Sequence, residues 1–90
     1  MQDIRRKINK LMQELTDEEK DEREILNQLL LVLDDNSKQL PKSFSLELLM
    51  NTQKLKSFLT ERVGLKIKKI KFNGIAVMFS GKGKFEIELE

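Results

Sequence analysis

At Gly64 the spacing of apolar side chains changes from three or four residues to two, and that switch divides the chain into a helical part and a sheet part. Before it, Ile4, Ile8, Leu11 and Leu15 follow one another at spacings of four, three and four, which line them up on one face of a helix with Arg5, Arg6 and Lys10 opposite. Thr16-Asp17-Glu18-Glu19 has the form of a capping box. The hydroxyl can accept from a free backbone N–H, Glu19 can reach back, and three carboxylates meet the positive end of the dipole. A second helix is predicted to start there, polar through Glu24, apolar over 25–33 and buried nearly all round in that half. Asp34-Asp35-Asn36-Ser37 ends it. Pro41 lies in the next loop, and Ser43-Phe44-Ser45 offers a hydroxyl cap to a third helical region over 46–63. The polar break Asn51-Thr52-Gln53 leaves open whether that region is one helix or two short ones. Gly64 stands where a left-handed C-cap is expected, with Leu65 folding back on the last turn.

After Gly64, residues 65–72, 75–80 and 84–89 have the alternation of strands, joined by Asn73-Gly74, a two-residue hairpin signal, and by Gly81-Lys82-Gly83. A two-residue turn at Asn73-Gly74 sets Phe72 against Ile75 and Ile70 against Val77, and brings Ile75, Val77 and Phe79 onto the same face as Phe85, Ile87 and Leu89. Lys68-Lys69 breaks the alternation, and a bulge there returns Leu65 and Ile67 to the buried face. The expectation is an α+β fold, with about three N-terminal helices followed by a C-terminal three-stranded antiparallel β-meander. Ninety residues hold one core, so 1–90 is a single domain, with 2–36 a helical hairpin or short coiled-coil-like segment and 44–90 a helix plus meander.

The chain has neither cysteine nor histidine, which removes thiolate and imidazole chemistry, the usual zinc sites and any disulfide framework. Gly81-Lys82-Gly83-Lys84 is too short for a P-loop, lacks the Ser or Thr after its lysine, and precedes a strand instead of a helix. Asp34-Asp35-Asn36 fails as a calcium loop, since the fifth and twelfth positions, both ligands, fall on Lys38 and Ser45 and the sixth, which needs glycine, on Gln39. Ser43, Ser45, Ser57 and Ser80 have no histidine to activate them, and Glu86, Glu88 and Glu90 form a solvated row on one strand face. The expectation is a protein without enzymatic activity, cofactor, metal or small-molecule substrate. Its longest apolar run, 29–33, is far short of a membrane span, and a cytoplasmic location, or a nuclear one in a eukaryote, is expected.

The formal charge of +2 hides an asymmetry. Ten of the fifteen acids precede Ser37, whereas residues 38–84 carry eleven Lys or Arg against only Glu47 and Glu61. Such a basic stretch suits a polyanion, because lysines that neutralise phosphates release counterions. Helices followed by a basic-tipped hairpin resemble the winged-helix architecture over residues 25–89. That resemblance implies a helix-turn-helix over 46–51 and 53–63, with Lys54, Lys56 and Arg62 on the recognition helix and Gly81-Lys82-Gly83-Lys84 as the tip of the wing. Duplex DNA is the expected partner, met by Lys54, Lys56, Arg62, Lys66, Lys68, Lys69, Lys71, Lys82 and Lys84. Single-stranded RNA fits less well, since the chain has no Tyr or Trp and its five phenylalanines sit at core positions. The competing reading of the strand lysines is protection of a sheet edge, with Glu86 and Glu88 offsetting them across the sheet.

A protein-interaction subunit is the second function expected. The stripe Ile4, Ile8, Leu11 and Leu15 has coiled-coil spacing over about two heptads and would dock on a larger complex or a second copy to form a homodimer. Packing of the same stripe on the chain's own sheet is the alternative.

Overall fold

The structure is a computed structural model that describes residues 4–73 and 83–90. The fold is α+β, with helices first and a three-stranded antiparallel sheet. Helix α1 (Ile4–Glu14) and helix α2 (Lys20–Asp35) form an antiparallel pair. The turn between them uses half of the expected capping box. The Glu19 carboxylate accepts from the Thr16 backbone N–H at 3.0 Å, but the Thr16 hydroxyl donates to that same carboxylate at 3.2 Å instead of accepting from the helix. Helix α2 therefore starts after Glu19 rather than at Thr16. At its far end the Asn36 side chain donates to the Val32 carbonyl, and Ser37 and Lys38 take left-handed φ values of 59° and 71°, so that the Lys38 N–H reaches the Leu33 carbonyl at 2.7 Å.

Strand β1 (Ser43–Leu48) follows, then helix α3 (Thr52–Ser57), which widens into a π-helical turn (Phe58–Val63) before strands β2 (Ile67–Asn73) and β3 (Gly83–Leu89). Asn51 caps α3 by accepting from the N–H groups of Gln53 and Lys54 at 2.7 and 3.3 Å, so the polar break is a helix start. Gly64 closes the π-helical turn with φ 86° and donates to Leu59, and Leu65 donates to the same carbonyl at 2.9 Å. An added Cβ at Gly64 would lie 3.1 Å from Lys7 Nζ, but the left-handed backbone is the stronger demand for glycine there.

The sheet order is β1-β3-β2, antiparallel throughout. Phe44, Leu46 and Leu48 of β1 and Phe85 and Ile87 of β3 point into one core with Ile25, Leu26, Leu29 and Leu33 of α2, and with Leu55, Phe58, Leu59 and Val63. Each such side chain taken fully from water contributes about 1.5–3 kcal/mol before entropy is charged against it. The bulge at Lys68 is present, as the register slips between Ile67 and Lys69, and Leu65, Ile67 and Ile70 pack against the core.

Three expectations change. Residues 43–48 are a strand, not the cap and first turns of a helix: every second residue is buried, and β3 offers a partner across a long sequence separation. Phe72 faces Phe85 and Ile70 faces Ile87, so β2 pairs directly with β3. The strand expected over 75–80, its pairing with β2 and the turn at Gly81-Lys82 lie outside the described residues. Finally, α2 is not buried all round in its second half, because Leu31 is 63% exposed.

A candidate nucleic-acid interface and the two sheet edges

The helix-turn-helix implied by the winged-helix resemblance does not form over 46–63. Leu46 and Leu48 belong to β1, and a single helical segment starts at Thr52. Two of its three basic residues, Lys54 and Arg62, are engaged within the chain. Lys54 Nζ lies 3.3 Å from Asp21 and 3.7 Å from Glu22, and Arg62 lies 3.5 Å from Glu19 with its guanidinium 5.7 Å from the centre of the Phe58 ring. Such solvent-screened pairs add little to stability. They do set the acidic start of α2 against the basic face of α3. The Thr16 backbone N–H, then the Thr16 hydroxyl and Arg62, hold the Glu19 carboxyl below its ordinary range. Lys56 is exposed on the same helix.

The remaining expected residues gather on the sheet. Lys66, Lys68, Lys69 and Lys71 are all exposed along or just before β2, and Lys84 is exposed at the start of β3; Lys82 lies outside the described residues. Lys69 stands opposite Glu88 and Lys71 opposite Glu86, while Lys84 is flanked by Glu47 on β1 and Asn73 on β2. Lys68 Nζ is 4.0 Å from Glu88. Burial alternates so that Ser43, Ser45 and Glu47, Lys84 and Glu86, and Lys69 and Lys71 share the open face, its lysines outermost on β2 and its glutamates on the central strand.

The stripe expected to bind a partner is occupied by the chain itself. Ile8, Leu11 and Leu15 are buried in the core and Ile4 packs against it, with α1 lying on α2 and the π-helical turn. The intermolecular seam is thereby replaced by intramolecular packing, on helices rather than on the sheet.

Sequence reasoning missed the margin of β1. The Glu47 N–H donates to the Gln28 side-chain oxygen at 2.8 Å, and the Gln28 amide nitrogen donates to the Glu47 carbonyl, so one side-chain amide of α2 fills the place a neighbouring strand would take. Glu24 holds Gln28 at 3.1 Å. Backbone groups alternate along an antiparallel strand, so Ser43 and Ser45 direct theirs to the same outer side as Glu47, whereas Lys42 turns inward and accepts from Leu89 at 2.7 Å. The signal was the alternation of Ser43-Phe44-Ser45-Leu46-Glu47-Leu48, whose serines fit a helix cap equally well.

A groove of about 510 Å³ between the start of α1 and the end of β3 is floored by Ile4, Leu40, Leu65 and Leu89 and rimmed by Lys38 and Lys66. No carboxylate is among its described lining residues. No helix among the described residues is long and apolar enough to cross a membrane. Comparison of the chain with protein-family models, curated proteins and solved structures finds no match.

Proposed function

We propose that this chain is a non-enzymatic binding module that contacts duplex nucleic acid through the lysines of β2. The observation that carries this reading is the run Lys66, Lys68, Lys69 and Lys71, four exposed cations within six residues, three on the outermost described strand and one just before it. Lys84 extends the basic row toward the β2–β3 connection, in which Lys82 lies. Ammonium groups on flexible stems suit phosphates, which lie on the outside of a duplex and require no aromatic platform. Phe44, Phe58 and Phe85 are buried as expected, whereas Phe72, expected in the core, is 46% exposed, with its ring tilted against Phe85 at a centroid distance of 4.8 Å. Contact of this kind is indifferent to base sequence and supports an accessory role.

Lys54 and Arg62, engaged by Glu19, Asp21 and Glu22, drop to a minor part in this reading. The test is fluorescence anisotropy with a labelled duplex over a salt series starting near 50 mM. Four or five phosphate contacts predict a slope of log K against log salt near −4, and replacing Lys66, Lys68, Lys69 and Lys71 together with Gln should remove most of it. Absence of binding at the lowest salt, or a slope untouched by the four substitutions, would overturn the proposal.

A further inference from the structure

Within Ser43 to Leu48 the outer margin of β1 is closed at one position only, by Gln28 at Glu47, with Pro41 and Lys42 standing just before the strand. Edges are commonly blunted with lysine, proline or a bulge. Residues Ser43 to Leu48 contain none of these, and the single charge, Glu47, has its outward backbone groups already taken by Gln28. Beside this margin stands an exposed apolar side chain. The first residues of α2 line a groove with Leu48, Leu49 and Met50, and Gln28 meets Glu47, so α2 runs back along β1 toward Ser43. Leu31, one turn beyond Gln28 and 63% exposed, therefore lies alongside the open stretch. Leu49, 67% exposed, follows the end of the strand.

We propose that the outer edge of β1 is a self-association site, at which β1 of a second copy adds antiparallel and carries the sheet across two chains. The stretch is self-complementary. With the two-fold axis at Phe44, Ser43 of each chain faces Ser45 of the other, both ends make a pair of backbone hydrogen bonds, and the serine hydroxyls meet on the open face. No like charges are opposed, because residues 43–46 carry none. A register centred on Ser45 would need Glu47, and Gln28 closes that position, so the side-chain amide fixes the register as well as the length of pairing. Below the sheet the two Leu31 side chains approach across the axis and cover each other. The site is separate from the β2 lysines and does not depend on their role.

The absence of native cysteine gives a clean test. In the proposed register the Cα atoms of Ser43 and the facing Ser45 lie about 5.5 Å apart, within disulfide reach, while Ser43 and its symmetry mate are about 8–9 Å apart and beyond it. A mixture of Ser43→Cys and Ser45→Cys proteins should cross-link under mild oxidation far faster than either alone. Sedimentation of the wild type should show a monomer–dimer equilibrium by about 1 mM, and Leu31→Lys, on an exposed position, should raise its midpoint at least tenfold. A strict monomer at that concentration, or a mixture that cross-links no faster than the single variants, overturns the proposal.

Discussion

The two margins of the sheet are built on opposite rules. Along β2 a bulge at Lys68 breaks the pleat, and Lys66, Lys68, Lys69 and Lys71 crowd the outermost described strand with positive charge. Along β1 the pleat is regular, the side chains at the open stretch are serines, and the one position closed to strand addition is closed by a side-chain amide acting as a surrogate strand. Outward backbone groups on an outer strand need either a partner or a means of keeping one away. On β2, outermost among the described strands, the lysines supply repulsion and form the basic ridge proposed above to meet a polyanion. On β1 hydrogen bonding supplies the partner, through Gln28 at Glu47 and, on the proposal above, through a second copy at Ser43 and Ser45. Lysine serves both edge protection and phosphate contact, so the two readings of the β2 lysines are compatible.

The largest expected effect removes the strand on which both margins rest. Phe85 is fully buried between Leu46 and Phe72, and Phe85→Ala should destabilise the fold by about 3–5 kcal/mol in denaturant titration. Gln28→Ala comes next. It exposes the Glu47 backbone groups and should lower stability by about 1 kcal/mol, with faster amide exchange at Glu47. An unchanged exchange rate there would break the view of Gln28 as a surrogate strand. On the other margin, Lys69→Glu and Lys71→Glu each set like charges opposite Glu88 and Glu86, and about 0.2–1 kcal/mol should be lost per substitution. The smallest effect lies away from both edges. Asp34, hydrogen-bonded by Lys38 and then by Arg5, and Glu19, hydrogen-bonded by the Thr16 N–H, both have carboxyl groups held below their ordinary range. Their contribution is present above the usual carboxylate range and is lost as pH falls through the lowered folded-state values, so the wild type should weaken below about pH 4 more steeply than Asp34→Asn.

Much of this asymmetry was legible in the sequence at β2 and little of it at β1. Lys68-Lys69 interrupts a period of two, and only a bulge restores the buried face to Ile67. Gly64 had to be left-handed because the helical pattern stops one residue before it. The core face of β3 follows from Phe85 and Ile87 alone. At β1 the same alternation was present, but six residues preceded by serines and followed by Leu49 and Met50 also suit a helix start, and the partner that decides the matter is some forty residues away. The pairing of β2 with β3 is likewise a long-range contact that no local signal announces, and the strand expected just after Asn73-Gly74 lies outside the described residues. Leu31 was hidden inside an apolar run whose other members are buried or partly buried, and only the place of α2 beside an edge strand shows why one leucine faces outward. Lys54 of α3 and Arg62 of the π-helical turn were legible as cations, but their engagement by the start of α2 required the tertiary fold.

The difference between the margins is most directly measured by residue-resolved amide exchange at two protein concentrations. Alternation directs the outward N–H groups to Ser43 and Ser45 on β1, and to Ile70 and Phe72 on β2. Raising the concentration to about 1 mM, where a weak dimer is populated, should protect Ser43 and Ser45 and leave Ile70 and Phe72 unchanged. Protection that grows at Ile70 and Phe72 instead, or at none of the four, would contradict an account in which β1 is the edge built to be joined.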